Sequence, residues 1–136
     1  MRSTRSDAIA VRADVKDRTV NWNFTKRIPP SCTECTQQYT YLIDWSLDRD
    51  SKLRTALYSY QQDGVISFFI DLDGPDYQQL LLSVTGDVHE RFFPLGTSHT
   101  VLLGPEFYTQ TVNGVSLLDW TNAFLADGPG WNDTIE

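Results

Sequence analysis

Three carboxylates, Asp71, Asp73 and Asp76, fall within six residues in the segment Asp-Leu-Asp-Gly-Pro-Asp. A hard cation such as calcium takes six to eight oxygen ligands, and the carbonyls of a Gly-Pro turn would add to the side chains. The spacing is not that of an EF-hand loop, because the glycine comes too early and no distal Glu follows. Aspartates at turns also hydrogen-bond their own local backbone, which is the plainer reading of the same residues. Asp71, Asp73 and Asp76 are therefore the candidate metal ligands, with Ca2+ as the candidate cofactor.

Cys32 and Cys35, the only cysteines, lie in Pro-Pro-Ser-Cys-Thr-Glu-Cys-Thr. That spacing suits a redox dithiol or half of a zinc site. A redox motif should open a helix after a strand, whereas here a Pro-Pro segment precedes the cysteines and a strand-like pattern follows. His89 and His99 are the only histidines, and their separation fits no common zinc-finger spacing. Two loop thiols or a local disulfide is the simpler reading. For nucleophilic catalysis there is no Gly-x-Ser-x-Gly elbow, and no phosphate-cradling glycine loop is present. Both histidines read as surface or strand-end residues. Asp44, Asp48, Asp71 and Glu106 could each serve in a carboxylate pair, but such a pair is defined by its separation across a cleft. No enzyme is expected.

The aromatic residues say more. Tyr39, Tyr41, Trp45, Tyr58 and Tyr60 are too many for one modest core if all point inward. Tyr and Trp are favoured at protein interfaces and as sugar-stacking platforms, because they combine a large apolar body with a polar edge. Tyr39, Tyr41, Trp45 and Trp120 are the candidate interface or ligand-binding residues. Asn23-Phe24-Thr25 and Asn132-Asp133-Thr134 match the N-glycosylation pattern, with little weight from two short matches.

The elements that would position these residues read as strands. Residues 53–60 alternate, with Leu53, Thr55, Leu57 and Ser59 on one side and Arg54, Ala56, Tyr58 and Tyr60 on the other, the period of a half-buried strand. Gln61-Gln62-Asp63-Gly64 supplies a reversal. Residues 65–72 (VISFFIDL) are β-branched and aromatic and predict a central strand. Gly74-Pro75 ends it, and 77–84 returns, giving an antiparallel meander. Further strands are expected at 19–24, 38–47, 88–93, 98–103 and 107–112, with a loop at 26–36. Asn113-Gly114 is a strong hairpin signal. Beyond it, 115–120 reads as a return strand, or as a helix capped by Ser116 with Asp119 as its third-position acid. A strand to about Leu118 followed by a short helical turn is the expectation.

The sum is an all-β antiparallel sandwich of jelly-roll type, with about eight strands and one short helix near the C-terminus. Residues 1–16, polar and rich in Arg, form a leader or hinge, and 17–136 form a single β-sandwich domain. The length of 136 residues suits one domain with its own core. A net charge of −7 argues against nucleic-acid binding. No apolar run approaches the ~20 residues that span a bilayer, so no membrane insertion is expected.

A polar leader feeding an acidic, aromatic-rich, all-β unit with an Asp-x-Asp turn resembles the projecting (protrusion) domain of capsid proteins of small icosahedral RNA viruses, shrimp-infecting nodaviruses in particular. The residues that carry the likeness are 39–47, Asp71-Leu72-Asp73 and the Pro-punctuated strands over 93–112. The resemblance implies a homodimeric spike on the virion surface that engages a host-cell receptor or glycan and is hinged to the shell domain of the same protein. It also implies calcium at Asp71 and Asp73. The other reading of the same features is a calcium-dependent carbohydrate-binding β-sandwich with exposed Tyr or Trp as platforms.

Overall fold

The computed structural model describes residues 23–36, 40–86, 90–100 and 104–136. Among them the chain is mixed α/β rather than all-β. A short 3-10 turn at Phe24–Arg27 precedes helix α1 (Tyr41–Arg49), strand β1 (Ala56–Tyr58), helices α2 (Gly64–Phe69) and α3 (Gly74–Thr85), and strand β2 (Glu90–Phe93). Helix α4 (Glu106–Thr109), the hairpin β3 (Thr111–Val112) and β4 (Val115–Ser116), helix α5 (Leu117–Ala126) and strand β5 (Thr134–Ile135) complete it.

The main sheet has three parallel strands in the order β1-β2-β5. Ala56 faces Glu90 and Tyr58 faces Phe92, while Phe92 and Phe93 face Thr134 and Ile135. Parallel neighbours need crossover connections. Here α2 and α3 carry the chain from β1 to β2, and α4, the hairpin and α5 carry it from β2 to β5.

Alternation along each strand sends successive side chains to opposite faces. Ala56, Tyr58 and Phe92 join a core with Val112, Leu117 and Trp120, against α5 and the hairpin. Leu57, Phe93 and Ile135 join the other core, with Tyr77 and Leu81 of α3. The result is three layers, a parallel sheet covered on both faces, as such sheets require. Phe92 and Phe93, both fully buried, anchor one core each.

The antiparallel sandwich is thus overturned, and the reasons are local. Residues 65–72 are not a central strand: Asp63 accepts hydrogen bonds from the amides of Val65 and Ile66 and caps α2. Residues 77–84 lie in α3, which begins with Pro75 in its first turn and Asp73 as its N-cap. In α1, Tyr41 and Trp45 share a helical face four residues apart, a spacing that alternation over 38–47 also satisfies. Residues 107–109 are helical, and the strand begins only at Thr111. The hairpin at Asn113-Gly114 is present, with Gly114 at φ 80°. Past it, Ser116 caps a full ten-residue helix, not a turn. Of the strands expected at 19–24 and 98–103, residues 23–24 lead into the 3-10 turn and 98–100 are irregular, while 19–22 and 101–103, and residues 37–39 with Tyr39, lie outside the described residues.

Candidate functional site: an acid–histidine pair at the sheet edge

Past their last paired residues, β1 and β2 stay zipped. Ser59 N–H donates to Phe92 O at 3.4 Å, Gln61 N–H to Pro94 O at 3.0 Å, Gln62 N–H to Gly96 O at 3.0 Å and Gly64 N–H to Thr97 O at 2.9 Å. This second ladder joins the loop after β1 to the loop after β2 at the C-terminal ends of adjacent parallel strands, where open α/β sheets bind ligands. Gly96 makes the turn at φ 136°, and a Cβ there would lie 3.0 Å from the Tyr60 ring. Leu95 N–H is held by the Glu136 carboxylate at 3.0 Å.

The ladder brings two side chains together that are far apart in sequence. His99 Nδ1 lies 2.8 Å from Asp63 Oδ2. The Asp63 side chain is 4% exposed and the His99 side chain 41% exposed. Asp63 Oδ1 accepts from the amides of Val65 at 3.0 Å and Ile66 at 2.9 Å. One carboxylate oxygen therefore fixes the acid to the start of α2, and the other faces the imidazole. A carboxylate only accepts, so the shared proton belongs to Nδ1 and the lone pair is left at Nε2. Among the described residues nothing is hydrogen-bonded to Nε2. The geometry is that in which a carboxylate orients a histidine ring through Nδ1, an arrangement also found in catalytic triads.

The residues expected to form sites are placed elsewhere. Asp73 Oδ1 accepts from the Asp76 amide at 2.8 Å and caps α3. Asp71 stands at φ 56° in the turn before it. Asp73 thus has a capping role and Asp71 a place in the turn, and among the described residues no group of three or more His, Cys, Asp or Glu is arranged to hold a metal ion. Trp120 is 4% exposed in the core, its Nε1 donating to Asn132 O at 2.8 Å, so it is no surface anchor. Tyr41 and Trp45 do lie together, on a cleft of about 440 Å3 lined also by Ser31, Glu34, Asp44 and Asp48. Arg49 stacks 4.3 Å over the Trp45 ring. Cys32, in that wall, forms a local disulfide with Cys35. His89 lies outside the described residues.

Asp63 was legible only as part of a turn, and His99 only as a strand-end residue. The available signal was an acid immediately before an apolar run, which is also how a helix N-cap reads. Two groups elsewhere are perturbed by burial: desolvation raises Tyr58 and Tyr77 above the usual phenol range. Comparison with protein-family models, with curated proteins and with solved structures returns no match. Among the described residues no helix is long and apolar enough to cross a membrane.

Proposed function

We propose that Asp63 and His99 are the acid and the general base of a nucleophilic hydrolase centre acting on an ester or related acyl bond. The observation that carries this is the 2.8 Å contact between a buried carboxylate and a half-exposed imidazole at the C-terminal edge of a parallel sheet. Asp63 holds the ring with its proton on Nδ1 and stabilises the imidazolium that forms when Nε2 takes a proton. The proton donor is the attacking water. Acid before histidine along the chain is the order of α/β-hydrolase triads, in which the nucleophile precedes both. That parallel is one of arrangement, and the site carries the argument.

A dimeric spike and a calcium-dependent glycan binder were both expected from an all-β sandwich, and they lose that footing with the fold. The expectation of no enzyme rested on missing local motifs, and the contact of His99 with Asp63 supports the other reading.

Hydrolysis of p-nitrophenyl acetate tests the proposal. His99→Ala should remove the protein-dependent rate, and Asp63→Asn should lower it by about 10²-fold or more, the scale of positioned acid–base catalysis. Rates unchanged in both variants, with the fold intact, would leave the pair a structural contact between two loops.

A further inference from the structure

Two residues before Asp63, a glutamine is buried where an apolar side chain of similar size would fill the space. Gln61 is 1% exposed. Its Nε2 donates both protons, to Phe93 O at 3.0 Å and to Glu136 O at 2.8 Å. Its Oε1 accepts from Gln78 Nε2 at 2.5 Å, and Gln78 Oε1 accepts from Gln62 Nε2 at 2.9 Å. The orientation of all three amides follows from the two carbonyls. Carbonyls only accept, so Gln61 must turn its nitrogen to them, and each later amide is then set in turn.

A buried amide is tolerated only when its hydrogen bonds are made, and a satisfied buried network favours one geometry over its neighbours. This one joins four parts of the molecule: the loop that holds Asp63, α3 through Gln78, the end of β2 through Phe93, and the strand β5 side through Glu136. Both residues flanking the Gln61–Gln62 pair matter to the site. Tyr60 O accepts from the Asp63 amide at 3.3 Å, and the Tyr60 ring is the surface against which Gly96 turns.

Building on the hydrolytic reading of the pair, we infer that Gln61 and Gln78 are positioning residues that hold the Asp63 carboxylate in register with the His99 imidazole. Neither amide is bonded to the imidazole; they act through the loop that carries the acid. The device couples the site to α3, an element that contributes no side chain to it.

Gln78→Met keeps the side-chain length and removes the donor to Gln61. Three quantities are read on the whole chain: the rate of p-nitrophenyl acetate hydrolysis, the low-field proton signal of His99 Nδ1–H, and the thermal midpoint. The expected result is hydrolysis slowed about tenfold, since small misplacements of a catalytic group are costly. The Nδ1 proton should exchange with water at least about tenfold faster, and the midpoint should fall, since the buried Gln61 oxygen loses its donor. Gln78→Glu retains the acceptor for Gln62 but loses the donor to Gln61, and should behave like the Met variant. The proton signal does not depend on any reaction. A parent chain that shows the signal but hydrolyses no ester would therefore count against the hydrolytic reading alone. Wild-type rate and wild-type exchange in Gln78→Met overturn the positioning role, and so does a lowered midpoint with both other readouts unmoved.

Discussion

At Gly96 the chain turns at φ 136°, a region that side-chain-bearing residues rarely enter, and the Tyr60 ring closes the space a Cβ would need. Gly96→Ala should cost about 1–3 kcal/mol in denaturant unfolding, and it should slow ester hydrolysis more than that loss alone explains, because the loop it bends carries His99. A second residue-scale test concerns pH. Burial by itself would raise the Asp133 carboxyl, but hydrogen bonds from the Arg91 side chain and amide, with the guanidinium charge, outweigh it and hold the group below its ordinary value. A depressed carboxyl stabilises the fold above the unfolded pKa of about 3.9, and that contribution is lost as pH falls through the lower folded value. The Asp133 side chain is 39% exposed, so the effect is small. Asp133→Asn should lower stability slightly at neutral pH, leave it unchanged below the folded pKa, and so flatten the acid limb of the stability curve below about pH 4. A curve with the wild-type acid limb would show the Arg91 contact to be energetically idle. At this scale sequence reading took His99 for a surface or strand-end residue, whereas it lies in the loop after β2, and its partner went unseen. Asp63 and His99 are brought together by a backbone ladder between loops, and no local pattern encodes that.

The elements were where the sequence misled most. Apolar runs of six to eight residues suit a buried strand or a short helix equally, and only flanking chemistry separates them. In 64–69 the deciding residue is Asp63, a cap rather than a turn residue, and the run was no core signal: Phe68 is 77% exposed and Phe69 55%. In 74–85 the pair Asp73 and Pro75 marks a helix start that reads as strand punctuation when the following residues are taken to alternate. The Asn113-Gly114 hairpin was legible, since it depends on residues adjacent in sequence, while the Ser116 cap was weighed but set behind a strand to about Leu118. Asp73→Ala should cost about 1 kcal/mol through loss of the α3 cap, read as a lower denaturation midpoint with or without calcium. A thermal midpoint that rises with calcium in the parent protein, and not in this variant, would return Asp71, Asp73 and Asp76 to the role of ligands. Trp120→Ala should cost about 3–5 kcal/mol. Were Trp120 instead an interface anchor, the loss would fall on self-association with monomer stability unchanged.

For the molecule as a whole, a parallel sheet covered on both faces settles where a site can lie. Phe92 and Phe93, consecutive and fully buried, hold the two cores on opposite faces of the central strand. The proposed site lies in the loops at the C-terminal edge. The strands expected at 53–60 and 88–93 contain the shorter β1 and β2, but their parallel pairing was not foreseen. Misreading the helices between them removed the crossovers that would have required it, and an antiparallel meander followed. The central claim is that Asp63 and His99 act as one unit on the same proton. It is tested most directly by a double-mutant cycle in ester hydrolysis, comparing Asp63→Asn, His99→Ala and the two together. Residues that act as a unit lose activity non-additively. The prediction is that Asp63→Asn lowers the rate in the parent chain and has no further effect once His99 is gone. Independent, additive losses would contradict it.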